Sequence, residues 1–408
     1  MSSTIAVVGA SLAGLSAARA LRDQSYDGRI VVIGDEVHAP YDRPPLSKEV
    51  LTGKWGPERT TLRSDDQLAA LDVQWEAGRR ATHLDLGGRR VELDDGRALD
   101  FDGLVIATGA VPRRLPGTEG MAGVHVLRTL DDAMALRAEL EAGPRRVVVV
   151  GAGFIGGEVA ASARTRGLEV TILEALPAPM IRVLGEEMGR FVADVHRDHG
   201  VDVRCGVGVA GFEGDGRVEA VRLGDGTVVD ADVVVVGIGV TPDTGWLHES
   251  GLPLADGVVC DETCLAAPWV VAAGDVARWP HPITGALVRV EHWDHAIAQG
   301  RHAARRLLAG DGPGEPFRPV PWFWSDQYDR KFQVAGWWDP HGETRVVDGS
   351  PADRAFVAVC ERDGMVSGVL GVNKARAVAA YRARLEAGLP WDDPAASDPA
   401  ALFPPRPA

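Results

Sequence analysis

Six short apolar runs along the chain end in, or run directly into, glycine: TIAVVGA (4–10), RIVVIGDE (29–36), FDGLVIATGA (101–110), RRVVVVGAG (145–153), ADVVVVGIGV (231–240) and WVVAAGDV (269–276). Continuous apolar runs of this length predict strands buried on both faces, as in a parallel sheet. Between the first two runs, SLAGLSAARALRDQ (11–24) has helical spacing. The stretch 145–175 repeats the design of strand, glycine turn, helix and strand. Each is a βαβ unit with a right-handed crossover. EHWDHAIAQGRHAARRLLAG (291–310) reads as an amphipathic helix closed by Gly310. GDGPGEPFRPVP (310–321) is then a linker. Beyond it the pattern alternates, in FWSDQ, KFQVAGW, TRVVDG and AFVAVCERDGMVSGVLGV, the last with an Asp-Gly hairpin turn. A helix over NKARAVAAYRARLEAG follows, and the Pro-rich tail DDPAASDPAALFPPRPA is expected to be loosely ordered.

The pattern predicts an α/β fold with two dinucleotide-binding domains, one inserted in the other, and a C-terminal α+β domain. The expected boundaries are 1–112 with 241–317, then 113–240, then 318–408. A length of 408 residues suits two to three domains. No apolar run reaches the ~18 residues of a membrane span. MSSTIAVVGA enters a strand at once, without a basic start or cleavage site. The expected location is cytoplasmic. The net charge of −15 argues against nucleic acid and acidic membranes as partners. From Arg318 to Ala408 there are 11 Lys/Arg and 12 Asp/Glu, so that end is nearly neutral on an acidic body. The four cysteines, Cys205, Cys260, Cys264 and Cys360, read as buried reduced thiols. Cys260 and Cys264 lack the second pair that a tetrahedral metal site needs, and no metal is expected.

The second glycine turn is a complete G-x-G-x-x-G: Gly151, Gly153 and Gly156. It follows a strand, opens a helix and is answered by Glu174, about 20 residues on. Its glycines allow the tight turn, the approach of a pyrophosphate and close helix–strand packing, and the helix N-terminus faces the phosphates. Glu174 accepts from ribose hydroxyls and repels a 2′-phosphate. Residues 175–181 hold no Lys or Arg to attract one, so NADH is expected over NADPH. The first turn keeps Gly9 and Gly14 but has Ser11 in the middle, with Asp35 as its strand-end acid. A second cofactor belongs there. FAD is the natural choice, because two nicotinamides have no reaction to share.

The stretches YDRPPLSK (41–48), ATGA (107–110), LRTLDDA (127–133), GAGFIGGEVAA (151–161), VVGIGVTP (235–242), AAGDV (272–276), EHWDHA (291–296) and PWFWSDQ (321–327) together resemble the FAD-dependent NADH:ferredoxin reductases of bacterial oxygenase and cytochrome P450 systems. The resemblance spans almost the whole chain. It implies a glutathione-reductase-like pair of domains and a C-terminal domain at the flavin's edge. It implies that Asp35, Arg43, Lys48, Arg128, Asp275 and Trp293 contact FAD, with Gly9, Ser11, Ala13, Gly14, Thr108 and Gly109. It assigns Gly151, Gly153, Ile155, Gly156, Glu174, Gly237 and Gly239 to NADH. Ser11 departs from the strict glycine pattern and bears on the pyrophosphate geometry.

Lys48 sits in the first turn of a helix that Pro44-Pro45 starts. Glu158 lies early in the helix after the second fingerprint. If the domains pack as in the resembled family, the two form a buried catalytic pair beside the flavin. Otherwise they are unrelated surface charges. Phe154 and Ile155 read as nicotinamide-pocket residues or as ordinary helix packing. The helix from about Asp294 to Leu308 would offer its positive end to the reduced flavin.

YDRPPLSKEV (41–50) holds no cysteine, so a disulfide is not the next electron carrier. The expected acceptor is an acidic [2Fe–2S] ferredoxin. Trp322 and Trp324 are docking or core residues, and Arg301, Arg305, Arg306, Arg330, Lys331, Lys374 and Arg376 are cations that could face the acceptor. The alternatives are an NADH oxidase or quinone reductase on the same scaffold, and a flavoprotein that mainly binds or signals. A monomer or weak homodimer is expected.

Overall fold

The computed structural model describes residues 3–402. Its contacts gather into two compact units. The first comprises the chain as far as Asp42, Glu58–Val111 and Val240–Pro319; the second comprises Arg43–Pro57, Pro112–Gly239 and Val320–Ala408.

The first unit is built on a six-stranded sheet in the order Leu265–Ala267, Val270–Ala272, Gly103–Ile106, Thr4–Val8, Arg29–Gly34, Gln74–Ala77. Its central strands are parallel, with Ile5 level with Ile30 on one side and Gly103 on the other. Ala6, Val7, Val32, Leu104 and Val105 are fully buried, which is why these strands read as unbroken apolar runs. Helix Leu12–Asp23 packs against helix Trp293–Leu308. A Cβ on Gly300 would lie 2.4 Å from the Ala13 carbonyl oxygen, so the two helices meet backbone to backbone there.

The second unit holds two five-stranded sheets. One is parallel, in the order Asp202–Cys205, Glu169–Glu174, Arg146–Val150, Val233–Val236, Val124–His125. The other is antiparallel, in the order Trp322–Gln327, Arg330–Gly336, Met365–Val372, Ala355–Arg362, Thr344–Ser350. Helix Phe154–Thr165 belongs to this unit, as does Leu46–Val50, which is a single π-helical turn with Pro45 at its N-cap. Leu51 anchors the 43–57 segment in the apolar core of Leu136, Leu140 and Val159.

The tail differs from the loose segment expected. Pro394–Ser397 and Pro399–Leu402 form helical turns, Asp393 caps the first of them, and Ala396 is buried with its carbonyl accepting from Tyr381 Oη. Alanines alternating with Asp caps allow this packing, which proline count alone does not reveal. The last part of that tail, residues 403–408, lies outside the described residues.

Candidate functional site

Both glycine turns are fixed by contacts that no side chain would tolerate. A Cβ on Gly9, at φ +115°, would lie 2.0 Å from the Ala107 carbonyl oxygen, and one on Gly14 would lie 1.8 Å from that of Gly9. The same two jobs recur at Gly151, 2.4 Å from the Gly237 oxygen, and at Gly156, 2.1 Å from the Gly151 oxygen. Gly239 has φ +96° and, like Gly153, open space where a Cβ would stand. Gly153 is the N-cap of helix Phe154–Thr165. Ser11 is the N-cap of helix Leu12–Asp23, and its hydroxyl makes no capping bond. Ala13 is buried.

In the first unit a cavity of about 290 Å³ opens at these strand ends, lined among others by Gly9, Asp35, Arg80, Thr108, Asp243 and Trp246. This is at the small end of the ~300–1,000 Å³ usual for ligand pockets, and it suits one end of a dinucleotide. Asp35 is held by Arg80 Nη2 at 2.8 Å. Thr108 Oγ1 donates to the Asp243 carbonyl at 2.7 Å, and the Asp243 N–H donates to Gly109 O. Burial raises the Asp243 carboxyl above its ordinary value, against the opposing pull of Arg80. Asp275 lies in the one-turn helix Gly274–Val276, and its carbonyl accepts from Arg289. Trp293 opens its helix and donates from Nε1 to Asp42 at 2.6 Å. The glycine cradle, the cavity and the strand-end acid together fit the adenosine and pyrophosphate of FAD.

In the second unit Glu174 ends its strand and is held by the glycine turn itself. Its Oε2 accepts from Ala152 N at 2.8 Å and its Oε1 from Leu176 N at 2.9 Å. A carboxylate offers about four lone-pair positions, so acceptor capacity remains for ribose hydroxyls. With Gly153 open in front of the helix N-terminus, these residues fit an NADH adenosine. Phe154 and Ile155 part ways. Phe154 packs edge-to-face on Phe323 at 4.5 Å, and Ile155 is 46% exposed.

The same unit brings Lys48 and Glu158 together, 110 residues apart, with Nζ 2.9 Å from Oε2. Their side chains are 12% and 3% exposed. The pair has further partners that the sequence reading did not name. Ser47 Oγ donates to Glu158 Oε2 at 2.5 Å, and Ser325 Oγ donates to Oε1 at 2.8 Å. Gln327 Nε2 donates to Ser325 Oγ at 3.1 Å, and Ser162 Oγ to the Ser47 carbonyl at 2.6 Å. The available signal was weak: Ser47, Ser325 and Gln327 all stand in stretches that carry the family resemblance. Arg43 and Arg128 also meet, Nη1 to carbonyl oxygen at 2.5 Å.

All four cysteines are free of disulfides; Cys260, Cys264 and Cys360 are buried as expected, whereas Cys205 is only partly buried. Burial pushes the Cys260 thiol up to about 12 and Cys264 in the same direction. Trp322 and Trp324 stack at 5.1 Å, with the Arg382 guanidinium over Trp322. Of the cations named as facing a partner, Lys331 pairs with Asp326 at 2.6 Å, Lys374 with Asp348 at 2.8 Å and Arg330 with Asp329 at 3.2 Å. Arg301 and Arg305 are exposed on helix Trp293–Leu308 of the first unit. Among the described residues no group of three His, Cys, Asp or Glu is placed to hold a metal, and no helix is long and apolar enough to cross a membrane.

Residues 3–300 match the pyridine nucleotide-disulphide oxidoreductase family, and residues 322–403 match the reductase C-terminal family. The chain is 39% identical to rhodocoxin reductase of Rhodococcus erythropolis, covering 97% of this chain and 92% of that protein. It is 39% identical to the biphenyl dioxygenase system ferredoxin–NAD(+) reductase component of Paraburkholderia xenovorans, over 92% of this chain and 91% of the relative. Among solved structures, the covalent putidaredoxin reductase–putidaredoxin complex superimposes with a TM-score of 0.90 at 36% identity, covering 98% of this chain and 95% of that one.

Proposed function

Because the chain belongs to the pyridine nucleotide-disulphide oxidoreductase family, among its FAD-dependent NADH:ferredoxin reductases, we propose that it passes electrons from NADH singly to an acidic [2Fe–2S] ferredoxin serving an oxygenase or cytochrome P450. One observation carries the choice of acceptor. Lys48 and Glu158 sit among hydroxyls, an ion pair and an amide, with no thiol in the network. Electrons therefore have no intrachain disulfide to reduce, although the family's name includes one.

The chemistry that a bound FAD would supply is acceptance of a hydride from NADH and release of single electrons. The chain's own residues bind and orient. Gly9 and Gly14 close the first turn, Ser11 offers a hydroxyl at its helix N-terminus, and Asp35 accepts from the ribose. Asp275, Trp293, Arg43, Lys48 and Arg128 keep their assignment as FAD contacts within this proposal. Gly151 and Gly156 close the second turn, and Gly153 leaves the approach open. Glu174, already oriented by two backbone N–H groups, accepts from the NADH ribose and disfavours a 2′-phosphate. Lys48 and Glu158 hold charge in a site with little water, where electrostatic effects are strong. Trp322 packs against the core of the C-terminal domain, and Trp324, stacked on it, offers the partner-facing surface.

The test is anaerobic stopped-flow reduction by NADH and by NADPH, followed by mixing with an oxidised [2Fe–2S] ferredoxin. Fast bleaching by NADH alone, then transfer to the ferredoxin, is expected. Bleaching followed by reoxidation only with a quinone or oxygen would move the function to a small-molecule reductase.

A further inference from the structure

The edge strand Trp322–Gln327 faces helix Phe154–Thr165 with its odd-numbered residues. Phe323 meets Phe154, Ser325 bonds Glu158, and Gln327 lies on the helix backbone at Gly157. That last contact explains a glycine the nucleotide fingerprint does not use. The fingerprint needs Gly151, Gly153 and Gly156, whereas a Cβ on Gly157 would stand 2.9 Å from Gln327 Nε2.

The hydrogen-bond directions follow from the donor inventory. Both Glu158 oxygens accept, so the single Ser325 hydroxyl proton is committed to Oε1. Ser325 Oγ then accepts, which requires the amide nitrogen of Gln327 to point at it. Ser325 and Gln327 are fully buried. A buried acceptor that loses a donor has no water to replace it.

We infer that Ser325 is a positioning residue for Glu158, oriented in turn by Gln327 over Gly157, so that the C-terminal strand sets the geometry of the Lys48–Glu158 pair. Ser47 supplies the matching hydroxyl to the other oxygen. Lys48 is then one of three donors to the carboxylate and the only charged one among them. The inference rests on the proposed role of that pair in flavin reduction.

The experiment uses the FAD-loaded full chain and four variants: Glu158→Gln, Ser325→Ala, Ser325→Thr and Gly157→Ala. Two readouts are taken: the anaerobic reduction rate against NADH concentration, separating the limiting rate from Kd, and the flavin midpoint potential by spectroelectrochemistry. Ser325→Ala should lower the limiting rate about tenfold, leave the NADH Kd within about twofold, and shift the potential in the same direction as Glu158→Gln. Ser325→Thr, which keeps the hydroxyl, should restore both. Gly157→Ala displaces only the flexible end of Gln327 and should produce a smaller shift of the same sign. The inference is overturned if Glu158→Gln slows reduction while Ser325→Ala does not, or if Ser325→Thr behaves as Ser325→Ala. If Glu158→Gln leaves both rate and potential unchanged, the proposed role of the pair fails, and the inference fails with it.

Discussion

The two glycine turns solve one problem with different margins. In both, the first and third glycines are forced by a carbonyl oxygen 1.8–2.4 Å from the missing Cβ. The middle positions diverge. Gly153 faces open space, and its counterpart Ser11 carries a side chain without disturbing the turn. The strand-end acids diverge as well. Glu174 is held by two backbone N–H groups, Ala152 of the glycine turn and Leu176 just past its own strand, whereas Asp35 is held by the side chain of Arg80 in a pair that is half exposed. The outer glycines therefore serve the fold, and the middle position serves only the ligand. The second site is oriented by backbone, and the first by a half-exposed side chain.

The largest effect should come from the outer glycines. Gly14→Ala and Gly156→Ala push a Cβ into backbone that cannot yield, and each should cost about 3 kcal/mol or more in urea denaturation. Gly153→Ala should cost under about 1 kcal/mol. Equal losses at all three would break the distinction between fold and ligand.

Acid should separate the units next. Burial lowers His295 to about 3 and His292 to about 4 in the first unit, and His196 to about 4 in the second. These values lie below the ~6.5 of an unfolded histidine. Their stabilising effect is therefore complete above about pH 6.5 and is lost as pH falls towards 4 and 3, because the unfolded chain takes up protons that the folded chain refuses. Two such groups against one predict that protection against hydrogen exchange, corrected for the intrinsic pH dependence of amide exchange, falls more between pH 6.5 and 4 in peptides of the first unit.

The acids come third. Glu174→Ala should raise the NADH Kd by about 10- to 100-fold, since a charged, pre-oriented acceptor is lost. Asp35→Ala should weaken FAD by only about fivefold, because an exposed pair is worth little. Titrations followed by flavin fluorescence and NADH absorbance give both. The smallest effect is expected at Ser11. Ser11→Gly should change FAD affinity by less than about threefold, while Gly153→Ala weakens NADH about tenfold.

Much of this was legible because it is local. The βαβ units announce themselves through apolar runs, glycine spacing and an acid about 20 residues on. Long-range polar pairing was not. Arg80 reaches Asp35 across 45 residues and Ser325 reaches Glu158 across 167, and no periodicity encodes such contacts. Segment 43–57 gave no hint that Leu51 would anchor it in the core of the second unit. Counting cations also left their neighbours unseen, since Lys331, Lys374 and Arg330 each pair with a nearby carboxylate.

The bare backbone at Gly157 has a consequence for anyone recombining these reductases. A crossover in the linker, near residue 315, looks like a clean seam between modules. Yet the amide of Gln327 lies where a side chain at 157 would begin. A donor C-terminal segment that brings a glutamine there packs best on a recipient with glycine at 157, because any side chain at that position displaces the amide. Shuffled libraries should therefore be enriched for parents matched at these two sites, however far apart the sites stand in the chain.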